Sequence, residues 1–296
     1  MRLVFIGNCQ AKALSEYFIH ANESIPSFDS IYFKYVLDDV ATWDMSQIEE
    51  ADVLIYQDVT VETLHSDSNE TMKERYIPKR IAHRLKKKGK LCISFPSIYF
   101  SAYFPDPLSS TESRQHFIND LPKECFPNWT LPRKFIQTVC SEKSIKAKVD
   151  SIVDPSFIDL RTLEAGWEKT YNNLKSREIA NQVDIPMADW MQKNWRMKRL
   201  MHITNHPTRF TLQYLMDRIL DIFEHHSLRY PPILRTLVMT TKDTMIASGR
   251  VPILPCVLQH CAEDFEDNDK SFAWINGAKI NTWEEYVSFY AQRRAS

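Results

Sequence analysis

The first predicted element of the chain reads Leu3-Val4-Phe5-Ile6-Gly7-Asn8-Cys9-Gln10. Four consecutive apolar residues are typical of a buried strand in a parallel sheet. Gly7 permits a tight turn, and the alanine- and leucine-rich run over residues 11–18 predicts a helix. The stretch is therefore interpreted as a strand that leads directly into a helix, with Cys9 at the junction.

This position makes Cys9 a candidate nucleophile. The unpaired backbone N–H groups and the positive end of a helix dipole favour a thiolate. The alternative is a small buried side chain that only packs, as we expect for Cys92 between Leu91 and Ile93. The local sequence leaves both interpretations open.

Composition limits the class of protein. The chain has 296 residues, of which 44% are hydrophobic and 25% charged, and a formal net charge of −1. These values are typical of a globular protein with a large core and do not favour a nucleic-acid partner. No apolar run approaches the roughly 18 residues of a membrane span, and no signal-peptide core is present. We therefore expect a cytoplasmic protein.

Cysteine and glycine usage narrows the chemistry further. Six scattered cysteines favour free thiols over a disulfide framework. Five glycines, with none close to Gly7, argue against a dinucleotide-binding loop or a P-loop. We predict no metal site, because the cysteines and histidine at residues 256–261 have no second ligand pair nearby.

Further strands are predicted at residues 30–36, 51–57 and 91–95, with a long amphipathic helix at 69–88. Strands that alternate with helices indicate a parallel sheet that binds ligands at the carboxyl ends of its strands. Cys9, Gln57 and the loop after Phe95 should therefore share one edge. The lysines at 86–88 are interpreted as a solvated helix end rather than a phosphate site.

The loop at residues 95–107 contains five aromatic residues and three prolines, without helical or strand periodicity. It could form the wall of a cofactor or sugar site. It could equally be a satellite core that closes the end of the sheet.

The predicted fold class is α/β, with a parallel sheet of about five strands flanked by helices. The fifth strand is expected at residues 200–204, before Asn205-His206-Pro207 and a helix at 210–223. The core would comprise residues 1–110 and 195–225. Residues 111–194 would form a helical insertion or cap, and residues 226–296 a helical C-terminal region.

Two histidines near the end of the predicted fifth strand could serve as a base for Cys9. His206 is the first choice and His202 the second, because an imidazole within reach of a thiol completes a nucleophile–base pair. Histidines at strand ends are also commonly structural. Candidate donors to an oxyanion are Asn8, Gln10, Gln57 and Asn205, together with the backbone N–H groups near Cys9.

The arrangement resembles the SGNH/GDSL hydrolases, in which a Gly-Asp-Ser turn follows the first strand and an Asp-x-x-His segment comes late. Here the first motif is replaced by Gly7-Asn8-Cys9. Ile203 stands three residues before His206, so the late motif lacks its acid. A triad acid would have to come from elsewhere, such as Asp106.

A closer resemblance is to the WcbI family of capsular-polysaccharide biosynthesis proteins. It rests on Gly7-Asn8-Cys9-Gln10, on residues 95–100 running on to 103–106, and on Asn205-His206-Pro207. The resemblance implies coenzyme A binding and acetyl transfer from acetyl-CoA to a sugar hydroxyl. Predicted CoA contacts are Gly7, Pro96, Ser97, Tyr99, Tyr103 and Arg209, with Lys198 and Arg199 as further phosphate ligands.

Two alternatives remain at this stage. The same site could belong to a cysteine esterase or thioesterase. The chain could also be a non-catalytic CoA- or glycan-binding protein in which Cys9 is structural. The sequence carries no signal for an oligomeric state.

Overall fold

The computed structural model describes residues 1–59, 76–107, 131–243, 245, 249–267, 272–275 and 278–292. The chain divides into two compact units. Unit 1 comprises Met1–Ile98, Lys175–Ala188 and Arg209–Lys242, and unit 2 comprises Tyr99–Leu174, Asp189–Thr208 and Asp243–Ser296. The domain boundaries expected from sequence stay a prediction; in this division residues 99–107 and 195–208 belong to unit 2 and residues 175–188 and 226–242 to unit 1.

The described strands are β1 (Arg2–Gly7), β2 (Ser30–Tyr35), β3 (Val53–Asp58), β4 (Leu91–Pro96), β5 (Met201–Ile203), β6 (His206–Pro207), β7 (Ala273–Ile275) and β8 (Ala278–Ile280). The described α-helices are α1 (Cys9–Ser24), α2 (Met45–Glu49), α3 (Pro78–Lys87), α4 (Arg133–Cys140), α5 (Ile145–Val153), α6 (Leu160–Asn181), α7 (Ala188–Asn194), α8 (Arg209–His225), α9 (Leu234–Thr240), α10 (Pro255–Leu258) and α11 (Trp283–Ala291). None of these helices is long and apolar enough to cross a membrane.

Unit 1 is built on a four-stranded parallel sheet with the order β2-β1-β3-β4. This confirms the predicted α/β class and parallel sheet. The chain proceeds from β1 to β2 in one direction and from β3 to β4 in the other. Ligands of such sheets bind outside the carboxyl ends of the strands at this switch point, here between β1 and β3.

Both faces of the sheet are covered at β1, β3 and β4, which explains why these strands are largely apolar, whereas the edge strand β2 is half-buried. Successive side chains of β1 point to opposite faces. Val4 and Ile6 belong to a buried cluster that includes Ile81 and Leu85 of α3. On the other face, the Phe5 ring lies 5.2 Å from that of Phe18 in α1.

Of the predicted helix at 69–88, residues 69–75 lie outside the described residues, and Tyr76 and Ile77 are not helical. The observed helix α3 starts at Pro78. Proline suits the first helical position, but it disfavours a helical conformation of the preceding residue. Ile77 accordingly has an extended ψ of 123°.

The predicted fifth strand does not join the sheet. Within unit 2, β5 pairs antiparallel with β6. Only Thr204 and Asn205 separate the two strands, and such a short connection permits a hairpin but not a parallel crossover. Extended backbone was correctly predicted here, but as a fifth strand of the parallel sheet instead of a strand of a separate hairpin. The predicted helical C-terminal region also contains a second hairpin, β7–β8.

The aromatic loop forms part of the core of unit 2. Tyr103 is completely buried. Its hydroxyl lies 2.8 Å from the carbonyl oxygens of both Trp195 and Lys198 and accepts a hydrogen bond from the Leu200 N–H at 3.0 Å. The Trp167 indole donates to the Ala102 carbonyl at 2.9 Å. Tyr103 therefore packs within unit 2, whereas a role of the loop as the wall of a ligand site stays a prediction.

We expect Tyr103→Phe to lower the free energy of unfolding by about 1–3 kcal/mol, because buried backbone groups lose their partner. Urea denaturation followed by circular dichroism measures this change. Tyr99→Phe is the matched control, since Tyr99 is exposed, and we expect it to change stability by less than about 0.5 kcal/mol. Equal effects of the two substitutions would contradict the role assigned to the Tyr103 hydroxyl.

Candidate functional site

The turn between β1 and α1 places Cys9 at the start of a helix. Asn8 is the N-cap of α1, and its Oδ1 accepts a hydrogen bond from the Gln10 N–H at 2.9 Å. Asparagine is among the preferred N-cap residues because it satisfies a free N–H of the first turn. Cys9 is the first helical residue. It therefore lies at the carboxyl end of β1, as the sequence predicts.

Two buried glutamines hold this turn in place. The Asn8 N–H donates to Gln57 Oε1 at 2.6 Å, and Gln57 Nε2 donates to Gln10 Oε1 at 2.8 Å. Gln10 also bonds both main-chain groups of Ile98: its Oε1 accepts from the N–H at 3.0 Å, and its Nε2 donates to the carbonyl at 2.8 Å. The two carboxamides thus connect the turn, the end of β3 and the segment after β4.

This network changes the role expected for Gln10 and Gln57. Both side chains are completely buried, and their bonded amide groups connect parts of the protein. The structure therefore favours a positioning role over donation to an oxyanion. Asn8 is half-buried, with its Oδ1 used in the helix cap. Its amide nitrogen and the backbone N–H of Cys9 are the better candidate donors at this turn.

Gly7 is required because no side chain fits at this position, and not because the backbone needs a conformation that favours glycine. It is the last residue of β1 and has no positive φ. A Cβ at this position would lie 2.4 Å from Gln57 Oε1 and 2.5 Å from the Ala11 Cβ. Only glycine therefore lets Gln57 approach the turn. Because Gly7 is buried, the predicted contact of this residue with CoA is not supported.

The Cys9 thiol is half-buried and free. Burial raises its pKa from 9.0 to about 11, although the backbone N–H groups of Cys9 and Gln10 partly lower it. The expectation of a stabilised thiolate is therefore wrong for the protein by itself: the group is a thiol at neutral pH. Cys92 is buried on the sheet, where burial raises its pKa to about 11, in agreement with a packing role.

In unit 2, both ring nitrogens of His202 have partners. Nε2 lies 2.8 Å from Asp243 Oδ2, and Nδ1 lies 3.2 Å from Nη1 of Arg250. A guanidinium can only donate, so Nδ1 accepts and Nε2 carries the proton directed at Asp243. Burial lowers the His202 pKa, with Asp243 opposing the shift. These contacts leave neither nitrogen available and argue against His202 as a base.

The two arginines near His202 are buried, and they share one carboxylate. Arg250 and Arg199 both bind Oδ2 of Asp267, at 2.5 and 3.2 Å. Arg199 also donates to the carbonyl oxygens of Met201, His202 and Val251. It is buried, which argues against the predicted contact with CoA phosphates. Lys198 pairs with Glu266 at 2.8 Å.

His206 remains the better candidate base. Burial lowers its pKa to about 4, His202 contributes to the same shift and Asp243 opposes it. Its imidazole is therefore neutral at pH 7 and able to accept a proton. Among the described residues, its buried Nδ1 has no hydrogen-bond partner.

Sequence reasoning missed the carboxylate that contacts a histidine. Asp106 is exposed and pairs with Arg133 at 3.4 Å, so it is not the acid sought for a triad. Asp243 instead contacts His202. It follows His202 by 41 residues and belongs to no recognisable motif, so no sequence signal indicated it.

The remaining predicted CoA contacts differ in accessibility. Pro96 and Tyr103 are buried, whereas Ser97 and Arg209 are half-buried and Tyr99 is exposed. The Ser97 carbonyl accepts a hydrogen bond from Arg177 at 3.1 Å. Cys9 belongs to unit 1, and Asn205, His202 and His206 belong to unit 2. The pairing of Cys9 with His206 stays a prediction.

A family model for the polysaccharide biosynthesis enzyme WcbI matches residues 2–226. The chain belongs to the WcbI family. This membership confirms the resemblance seen in the sequence, whereas the likeness to SGNH hydrolases stays a prediction. A comparison with curated proteins found no match.

A solved structure of WcbI has the same fold. It superposes with a TM-score of 0.64 at 16% sequence identity, covering 98% of this chain and 93% of that one. It is described as a novel polysaccharide biosynthesis enzyme, in its native form without a disulfide bond between coenzyme A and one of its cysteines. At this identity the similarity confirms the fold alone.

The contact between Gly7 and Gln57 leads to a test of stability. We expect Gly7→Ala to lower the free energy of unfolding by about 1–3 kcal/mol, because the added methyl group overpacks the turn. Gly166→Ala is the control: its Cβ would meet Pro105 at an ordinary 3.4 Å, and alanine favours a helix. Chemical denaturation compares the two variants, and equal stability would contradict the packing described here.

The raised pKa of Cys9 predicts slow alkylation. At pH 7.5, we expect iodoacetamide to modify Cys9 on the order of a hundredfold more slowly than an ordinary peptide thiol of pKa near 8.5. The rate should rise about tenfold per pH unit up to about pH 10, because the reactive thiolate becomes more abundant. Mass spectrometry of the peptide that contains Cys9 measures this rate. A plateau between about pH 7 and 9 would contradict the assignment.

Proposed function

We propose that this chain is an acyl-CoA-dependent O-acetyltransferase that acts on a sugar hydroxyl in capsular or surface polysaccharide biosynthesis. Three findings support the proposal. The chain belongs to the WcbI family of polysaccharide biosynthesis enzymes. A solved relative is described in connection with coenzyme A and a cysteine. Cys9 lies at the carboxyl edge of a parallel sheet, where such folds bind ligands.

The position of Cys9 is the observation that carries the proposal. Cys9 is the first residue of α1, beside the switch point between β1 and β3. Gln57 fixes the turn through the Asn8 N–H. Buried amides that immobilise one half-buried thiol are typical of a preorganised site.

In the proposed reaction, Cys9 is the nucleophile and His206 the base. The pKa values of about 11 for Cys9 and about 4 for His206 describe a neutral thiol and a neutral imidazole. The thiol therefore gives its proton to His206 as its sulfur attacks the acyl carbonyl, not before. The C–S bond of the acyl-CoA thioester then breaks, and the departing CoA sulfur takes the proton from the imidazolium.

The second half of the reaction returns the enzyme to its starting state. The acceptor hydroxyl attacks the acyl-cysteine, and His206 takes the hydroxyl proton. The Cys9–acyl bond breaks, an O-acyl sugar leaves and the sulfur recovers the proton. The proposed donors to the oxyanion are the backbone N–H of Cys9 and the amide nitrogen of Asn8.

We also propose which side chains contact the acyl-CoA donor. Ser97, Tyr99 and Arg209 are the accessible members of the set expected to contact CoA. Arg209 is the natural partner of a phosphate, because a guanidinium binds phosphate oxygens in a bidentate manner. No metal is required by this scheme. A cytoplasmic location is part of the same proposal.

A non-catalytic role of Cys9 is the second candidate. It is favoured by the raised pKa of the thiol, since reactive cysteines generally have lowered values. The protein would then bind CoA or a glycan without forming a bond to Cys9.

Activity measurements separate these candidates. We expect Cys9→Ala and His206→Ala each to lower the kcat for acetyl transfer from acetyl-CoA by about 10²–10⁴-fold. If the two residues act together, the double variant loses no more activity than the worse single variant. Cys140→Ala and His226→Ala are the matched controls and should retain activity.

Calorimetric titration with CoA shows whether each variant remains folded and able to bind. Full activity of Cys9→Ala would remove Cys9 from the reaction and leave the non-catalytic role. Release of free acetate without any sugar acceptor would instead indicate a hydrolase.

A further inference from the structure

Helix α3 carries an unusual concentration of positive charge. Residues 75–90 include eight lysines and arginines and no aspartate or glutamate, in a chain with a net charge of −1. Six cationic or titratable basic side chains on the outer side of α3 form what we call the cationic stripe: Lys79, Arg80, His83, Arg84, Lys86 and Lys87. All are exposed except Arg84, which is half-buried.

The stripe occupies one side of the helix. Pro78, Ile81, Ala82 and Leu85 are buried against the sheet. At 3.6 residues per turn, the basic side chains project from the opposite side. With a rise of 1.5 Å per residue, the helix is about 15 Å long. The six side chains cover about 160° of the helix surface, so the stripe is a broad, dense face of positive charge.

Helix stability does not explain this pattern. Lysines in the last turn of a helix interact favourably with its dipole, but Lys79 and Arg80 lie in the first turn, where positive charge is unfavourable. Pairs such as Lys79 with His83 and His83 with Lys87 are spaced four residues apart and gain no opposite charge. In contrast, α11 carries Glu284 and Glu285 in its first turn.

The stripe starts at the edge of the sheet that contains Cys9. Lys79, at its beginning, interacts electrostatically with Asp58, the last residue of β3. Beyond its end, Lys90 pairs with Asp52, which precedes β3, at 2.8 Å. The row of charge thus runs from the carboxyl edge of the sheet to its amino edge.

We propose that the cationic stripe binds an acidic polysaccharide along α3. This inference rests on the proposed function, because it makes the acceptor of the acyl group an anionic glycan. A linear polyanion fits a face of cations that extends along α3 and leads to the edge where Cys9 lies. Binding is electrostatic and weakens as salt is added.

The composition of the stripe favours a glycan over other polyanions. Amphipathic helices that bind membranes present exposed apolar anchors, whereas the large apolar side chains of α3 are buried. Proteins that bind single-stranded nucleic acids present aromatic residues on which bases stack, and the stripe contains none. Carboxylate groups along a hydrophilic chain need only the cations.

Equilibrium binding tests the proposal without acetyl-CoA or turnover. The probes are polygalacturonate as the acidic polysaccharide, dextran as a neutral one, vesicles with phosphatidylglycerol, and a DNA duplex. We expect low-salt binding of polygalacturonate but not of dextran. Replacing Lys79, Arg80, Lys86 and Lys87 with glutamine should weaken this binding at least about tenfold.

The control removes the same number of charges elsewhere. Lys143, Lys146, Lys169 and Lys193 are exposed on other helices or loops, and their replacement with glutamine should leave binding within about twofold. A milder variant, with Lys86→Gln and Lys87→Gln only, should give an intermediate loss. Circular dichroism confirms that each variant is folded.

Unchanged binding by the folded stripe variant would overturn the proposal, as would binding of vesicles or DNA as tight as that of polygalacturonate. If the stripe variant loses polysaccharide binding while acetyl transfer to a small sugar is unchanged, both proposals stand. If binding is lost as expected but no acetyl transfer is detectable in wild type, only the proposed function fails.

Discussion

The hydrogen bond from the Asn8 N–H to the buried carboxamide of Gln57 is the constraint on which the candidate site depends. It joins the end of β3 to the turn that carries Cys9. Gln10 extends the same connection to Ile98. Buried amides satisfy each other only when every partner is in place. The position of the thiol is therefore set by three segments of the chain rather than by α1 alone.

Neutral carboxamide side chains such as those of Gln10 and Gln57 are suited to holding the turn in place. A carboxylate in place of Gln57 could accept from Asn8 but could not donate to Gln10, and it would carry a buried charge. The pair of carboxamides provides donors and acceptors without adding charge beside the thiol. The raised pKa of Cys9 consequently arises from burial alone, with only the local backbone N–H groups acting against it.

The elements predicted correctly from sequence are those whose formation depends mainly on residues close together in the chain. The apolar run of β1 and the helix after Cys9 were recognisable, because each depends on neighbouring residues; the cap by Asn8 was not predicted. The pairing of β5 with β6 was not predicted from sequence. It depends on the two-residue turn between the strands, whereas the apolar pattern of β5 alone favoured a strand of the parallel sheet. The burial of Tyr103 depends on Trp195 and Lys198, which lie more than 90 residues away.

The candidate site was predictable to a similar degree. The position of Cys9 at the end of β1 was predicted from sequence, whereas His206 lies in β6 of the hairpin and its pairing with Cys9 stays a prediction. The protonation state of Cys9 was not predictable, because burial is a property of the folded chain. The partners of His202 were hidden for the same reason: Asp243 and Arg250 are distant in sequence and follow no fixed spacing.

The ionic group of unit 2, in which two buried arginines and a buried histidine meet two more accessible carboxylates, has a consequence for how this sequence can diverge. Arg199 and Arg250 share Asp267, and Arg250 also contacts the histidine bonded to Asp243. Removing Asp267 would leave two buried guanidinium groups without this carboxylate, at a larger cost than removing a balanced pair. Substitutions at these positions during evolution should therefore occur in compensating combinations. Such combinations are rare, so we expect these residues to change slowly.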